Sequence, residues 1–421
     1  MSMRPVVLHA RLVAGWQWIE TWLVGPVKPS VRHNMRMELA ATVAYGTFAT
    51  VLAFLPVVLR RLGASVDRLA LYNASTYLGS ILAGVGLYLT RPGYAKRTVV
   101  ICWLLARGAF LLVAFTTNDI GLLALAAIFW LMDGLPSPAY SAIIQSVYPI
   151  EHRGKVLALV RLGVALPMLA LTLIVGWTLD RLGYRVLFPV AGVFGVLGAL
   201  LFSRLRVNEA QVLPRQARAS GSVRGILGND RRFALYLFSL LLFGLGSLVP
   251  SALVPLIQVD RLHLSYGELG WLNLILSLVR LPGYFYWGRR IDRWGGVQSL
   301  QIMFVINAVY LFPYIWASRG WMLVPSFIAT GLVSAGVDLA FISVVIQLAG
   351  PTRVSEYAAL QATLIGLRGM LGPFIGVGLL RLGLSESAIF AIAIALTLLA
   401  ALNLNRVKSA SLEPASQRGL T

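Results

Sequence analysis

Apolar runs nearly free of charge recur twelve times along the chain, at 37–59, 69–90, 98–117, 120–147, 154–179, 185–206, 233–258, 267–288, 297–318, 321–349, 356–379 and 385–405. A helix that crosses the hydrocarbon core of a bilayer needs roughly 20 mostly apolar residues. In that solvent every backbone N–H and C=O must be satisfied within the segment, which selects the helix. Composition agrees: 58% of the 421 residues are hydrophobic and 12% are charged, against about 25% charged in a soluble domain. The sequence therefore predicts an all-α membrane protein of twelve transmembrane helices.

The net charge of +20, from 36 Lys+Arg against 16 Asp+Glu, would suggest nucleic acid in a soluble chain. Here the basic residues sit mainly in short connections, where they set topology, and no nucleic-acid partner is expected. With the N-terminus in the cytoplasm, 24 of the 36 fall on the cytoplasmic side and 8 on the other. Both termini are thus expected in the cytoplasm of a multi-pass protein of the cell inner membrane. The lone Cys102 supports neither a disulfide framework nor a zinc site.

Five regions follow. Residues 1–33 form a cytoplasmic leader with no evident cleavable signal peptide. Leu8, Leu12, Trp16, Ile19 and Leu23 recur there at helical spacing, which suits a helix lying in the membrane interface. Residues 34–206 make an N-terminal six-helix bundle, and 207–232 a basic cytoplasmic linker. A C-terminal six-helix bundle covers 233–406, and 407–421 is a cytoplasmic tail. The two bundles carry an internal repeat. Arg61, Leu62, Ser65, Leu69 and Asn73 recur 200 residues later as Arg261, Leu262, Ser265, Leu269 and Asn273. Arg181-Leu182-Gly183 likewise recurs as Arg381-Leu382-Gly383. Six spans separate matched positions, so the halves are pseudo-symmetric and run parallel in the membrane.

Two six-span halves, a basic central linker and cytoplasmic termini resemble the major facilitator superfamily. The most specific local match is the connection between spans 8 and 9, with Gly288, Arg289, Arg290, Asp292, Arg293 and Gly295. It is similar to the family's loop of glycine, acidic and basic residues, and the resemblance implies a gating role. The corresponding first-half segment, 90–97, keeps the positive charge but has no acid. Glu151-His152-Arg153-Gly154-Lys155 and the 176–183 corner are also similar to the family.

Charges within the spans are the candidate site. Arg107, Asp133, Arg161, Arg280, Asp338 and Arg368 lie well away from span ends. Each costs a few kcal/mol in lipid unless it pairs, touches water or faces the bundle interior. Asn273, Ser277 and Arg280 share one face of span 8; Thr330, Ser334 and Asp338 share one of span 10; Asp133, Ser137 and Ser141 share one of span 4. Asn73 is the repeat partner of Asn273. These residues are expected to line a substrate or proton path, with Asp338 within pairing distance of Arg280 or Arg368. The rival reading is structural: buried pairs and hydroxyls that hold helices together.

The expected function is secondary active transport of a small solute by alternating access, open to proton coupling at Asp133 and Asp338, with efflux favoured over uptake. Metabolite uptake, a lipid-linked substrate and a non-transporting sensor or assembly protein of the same fold are the alternatives. No nucleophile motif or phosphate-binding loop is present, so no enzyme activity, cofactor or metal is expected. The expected partners are the solute, protons and the lipid bilayer, and the chain is expected to act as a monomer.

Overall fold

A computed structural model describes residues 25–82, 85, 90, 93–209, 212, 228 and 230–409, and the elements among them are helical. Ten helices are long and apolar enough to span a membrane. They are α1 (Pro29–Arg61), α3 (Ala95–Phe115), α4 (Asp119–Val147), α5 (Ile150–Leu182), α6 (Tyr184–Ser203), α7 (Arg231–Arg261), α9 (Gly296–Trp316), α10 (Gly320–Gly350), α11 (Glu356–Arg381) and α12 (Glu386–Val407). The remaining two are α2, described as Val66–Ser75 and Leu78–Ile81, and α8, Tyr266–Trp294. The α1–α2, α5–α6, α7–α8 and α11–α12 connections lie at one end of the molecule, called here the far end. The α4–α5, α8–α9 and α10–α11 connections lie at the near end, with the start of α1 and the end of α12. Most of the leader (1–24), of the 207–232 linker and of the tail lies outside the described residues.

The repeated residues are the ones that shape the far end. Ser65 and Ser265 cap α2 and α8, accepting from Arg68 N at 3.4 Å and from Glu268 N at 3.1 Å. A serine oxygen at this position satisfies an N–H that has no partner within the helix. Gly183 and Gly383, with φ of 74° and 89°, close α5 and α11 in the left-handed region that glycine tolerates.

The structure corrects two expected boundaries. α1 begins at Pro29 rather than 37, and α8 runs to Trp294, so the expected 288–296 loop is helical up to a single break at Gly295, φ 81°. Arginines at a membrane edge stop burial in hydrocarbon, not helix formation. A third finding concerns span 4, which kinks at Leu135–Pro136. Proline removes a backbone donor there, so Asp133 and Ser137 lie on separate helical segments.

The packing of the halves is uneven along the membrane normal. At the far end one buried core joins both, from Phe54, Leu55 and Leu59 of α1 to Leu253 and Ile257 of α7 and Phe390 of α12. Towards the near end the cores separate: Phe233, Phe304, Trp287 and Leu404 belong to the C-terminal half alone. Val99, Ile143 and Phe202, with the neighbouring cluster of Met35 and Tyr148, belong to the N-terminal half alone. The halves are fused at the far end and parted at the near end.

Candidate functional site

Under the far-end core lies a cavity of about 270 Å³ between the halves. Asn73, Ser251, Gln258, Asn273 and Thr330 face it. Asn73 donates to Ser251 Oγ across the halves at 3.3 Å, and Gln258 donates to the Tyr314 hydroxyl at 3.2 Å. Asn73 and Asn273, 200 residues apart, thus meet at one cavity.

Four sets of contacts seal the roof. Arg60 donates to Asp260, with Nε at 2.9 Å from Oδ2. Arg61 donates to Leu264 O at 2.5 Å and its guanidinium lies 3.6 Å from the Tyr266 ring centre. Asp180 accepts from the backbone of Tyr266 and Gly267. Asp67 and Arg381 pair at 2.6 Å. Each joins the N-terminal to the C-terminal half. Close approach of α5 and α8 requires Gly176, where a Cβ would sit 2.6 Å from Tyr266 O.

A second pocket, about 260 Å³, opens inside the N-terminal half and holds Glu38, Tyr45, Arg107, Asp133, Tyr140 and Arg161. Arg107, 4% exposed, pairs with Asp133 at 3.5 Å and donates to Gly195 O at 3.4 Å. Its guanidinium also lies 4.5 Å from the Tyr45 ring centre and 4.4 Å from that of Trp103. This buried pair is the one the charges form, in place of the expected pairing of Asp338 with Arg280 or Arg368. Asp338 is exposed and makes no ion pair within 4.0 Å among the described residues. The reason is geometric. Arg280 extends away from α10 towards α5, ending 3.7 Å from Met168 Sδ, while Arg368, 7% exposed, turns into its own half and donates to Leu240 O. Ser334 donates to Gly331 O of its own helix, and Ser277 is buried.

Glu38 escaped the sequence reading. It is the second residue of the expected span 1, too near an edge to stand out as an intramembrane charge. In the structure it is 1% exposed and accepts from the hydroxyls of Tyr140 at 2.7 Å and Tyr148 at 2.5 Å. The available signal was Tyr140 and Tyr148, two turns apart towards the end of span 4, opposite an acid on span 1.

At the near end, Gly288, Arg289, Arg290, Asp292 and Arg293 occupy the last two turns of α8, ahead of Gly295. Arg290 lies 3.3 Å from the Trp294 ring centre. Asp292 is exposed and has no hydrogen bond or ion pair among the described residues. A larger apolar groove, about 530 Å³, runs between α1 and α6 along Ala40, Val43 and Thr47. That is the face of α1 opposite Glu38 and Tyr45, and it suits lipid rather than a polar solute.

Solved structures share this architecture. The nucleoside transporter NupG superposes with a TM-score of 0.67 at 12% identity, over 90% of this chain and 99% of that one. A bacterial homolog of the human lysosomal transporter Spinster, in an inward-facing and occupied conformation, gives 0.59 at 15% identity, over 91% and 98%. None of the curated proteins matches the chain in sequence. The family model of the Major Facilitator Superfamily matches residues 37–318 and again 236–419, and the chain belongs to that superfamily.

Proposed function

We propose that the chain is a secondary transporter that moves a small solute across the membrane by alternating access, and that this is its inward-facing state. The observation that carries the reading is the uneven packing: one shared core at the far end, separate cores at the near end, and a cavity between the halves into which amides and hydroxyls point. The Lys and Arg bias puts the near end in the cytoplasm. A sensor of the same fold would need no polar groups at its centre, whereas three amides and the hydroxyls of Ser251 and Thr330, from four helices, face this cavity among apolar side chains such as Phe54 and Phe327. Repeats related by an axis along the membrane normal rock about such a midplane site.

Coupling to protons is assigned to the N-terminal half. Asp133 and Glu38 are carboxylates inside the bundle, one held by an arginine and one by two tyrosines. A change in either set of partners during rocking would change proton affinity. The test of the transport reading is side-specific labelling of Thr330→Cys in a Cys102→Ser background. An impermeant maleimide should react from the cytoplasmic side in this state and from the outside once the far end opens. Reactivity from one side only, under every gradient imposed, would refute alternating access.

A further inference from the structure

The intramembrane arginines fall into two kinds. Arg107 and Arg368 are buried and have built-in partners: Asp133, Gly195 O and two rings for the first, Leu240 O and the Phe243 ring for the second. Arg161 and Arg280 have no carboxylate, carbonyl or ring partner of this kind among the described residues. Arg161 lines the N-terminal pocket and makes no hydrogen bond or ion pair among the described residues. Arg280, near the middle of α8, makes one hydrogen bond among the described residues, to the Met168 thioether, a weak acceptor for a group with five N–H donors.

These two arginines are neighbours across the gap between the halves. Met168 follows Arg161 by seven residues on α5, two turns along nearly the same face. The guanidinium of Arg280 therefore rests against the face that carries Arg161, about 10 Å further along the helix. One cation comes from each half, and Arg280 reaches across the gap between the halves to the helix that carries Arg161. None of the nearby acids lies within 4.0 Å of either guanidinium among the described residues: Glu38 accepts from Tyr140 and Tyr148, Asp133 pairs with Arg107, and Asp338 on α10 pairs with neither.

A guanidinium at membrane depth needs a counter-charge or water. A carboxylate or phosphate matches its fork with paired charge-assisted hydrogen bonds. We infer that Arg161 and Arg280 form the substrate-recognition pair, and that the transported solute is a small water-soluble organic anion bearing a carboxylate or phosphate. The inference rests on the transport reading and adds the chemical class of the cargo. An anion bridging one residue from each half also gives the two halves a common ligand, which favours their closing around it.

The experiment measures thermal stabilisation of the purified full chain by succinate, citrate, glycerol 3-phosphate and inorganic phosphate. Uridine and choline serve as neutral and cationic probes, and phosphatidylglycerol as the lipid form of a phosphate. At least one soluble anion should raise the melting temperature in a saturable way. Arg161→Gln and Arg280→Gln should each weaken its apparent affinity roughly 10- to 100-fold, as loss of a charged hydrogen-bonding partner does. Arg280→Lys should recover part of the loss. Both Gln variants should keep the melting temperature of the ligand-free protein, since neither arginine has a partner to lose. Stabilisation by uridine, choline or phosphatidylglycerol but by none of the soluble anions would overturn the inference. So would no shift with any anion, or a shift that survives both Gln substitutions. Labelling of Thr330→Cys from the two sides is independent of ligand class. If that labelling alternates while no anion binds, only the substrate class fails; if it does not alternate, the transport reading itself fails.

Discussion

Asp180, near the end of α5, caps the N-terminus of α8 in the opposite half. Its Oδ1 accepts from Tyr266 N at 3.0 Å and its Oδ2 from Gly267 N at 2.7 Å. The carboxylate meets the first free N–H groups of a 29-residue helix, where the helix dipole also favours negative charge. Arg61 adds a cation 3.7 Å from the same carboxylate. The repeat-related contact joins the start of α2 to the end of α11 through Asp67 and Arg381. The two halves are therefore latched twice at the far end, through the same pair of helix ends but with different chemistry.

Asp180→Ala removes the cap and should weaken the far-end seal. Losing an N-cap acceptor is worth about 1 kcal/mol, roughly a fivefold shift in a two-state population. Labelling of Thr330→Cys from outside should speed up by a similar factor. Asp67→Ala should do less, because its partner Arg381 is 71% exposed and surface pairs contribute little. Equal effects of the two substitutions would count against the latch as described.

Asp292 tests the opposite end. It stands free at the near end in the state where the halves are parted, as expected of a latch that engages only when that end closes. Asp292→Asn should lower turnover at unchanged expression and slow the labelling of Thr330→Cys from outside. If both turnover and labelling match the parent protein, the residue serves topology alone.

The spans, the two halves and the inward turn of most intramembrane charges were legible because hydrocarbon imposes one rule on every segment. The repeat carried further: Ser65 and Ser265 mark helix caps, and Asn73 and Asn273 meet at one cavity. Charge partners were not legible. Helical periodicity fixes the face on which Asp338 and Arg280 lie, but the reach of a long arginine decides what it touches, and Arg280 crosses to α5. Glu38 was hidden for a related reason. Arg32 and Arg36 suggested that the membrane began after them, while α1 had already started at Pro29.

The Arg107–Asp133 pair predicts unequal single-site effects. Arg107 is almost fully enclosed and contacts a carboxylate, a carbonyl and two rings, while the Asp133 side chain is 21% exposed to the pocket. Removing one partner of a buried pair costs about 3–5 kcal/mol. Arg107→Ala should therefore lower the folded yield and melting temperature sharply, since it also strips packing from Gly195 and Trp103. Asp133→Asn keeps the shape and a hydrogen-bond acceptor, and should reduce both much less. A larger loss from Asp133→Asn would mean that the aspartate, not the arginine, organises the pocket.

Glu38 gives the sharpest test of proton coupling. Both of its oxygens accept hydroxyl protons, from Tyr140 and Tyr148, and the side chain is sealed from solvent in this state. An ionised carboxylate can accept both bonds. A protonated one must turn one of its oxygens into a donor, so one tyrosine has to reorient. Tyr140 sits on α4 beyond the Leu135–Pro136 kink and Tyr148 caps the end of that helix, so both belong to its near-end segment. A proton gained at Glu38 would thus replace charge-assisted bonds between α1 and the near-end part of α4 with weaker neutral ones, where the halves are already parted. Glu38→Gln mimics the neutral form and cannot cycle. It should fold, because the amide oxygen accepts from one hydroxyl and the amide N–H can donate to the other tyrosine oxygen. In liposomes with an imposed pH gradient it should show no gradient-driven accumulation, yet exchange solute across the membrane at near the parent rate. Tyr148→Phe, which removes one hydroxyl donor but leaves the carboxylate, should keep accumulation and shift its pH dependence. Accumulation by Glu38→Gln that follows the gradient as in the parent protein would leave Glu38 a structural tie between α1 and α4 and move the coupling site to Asp133.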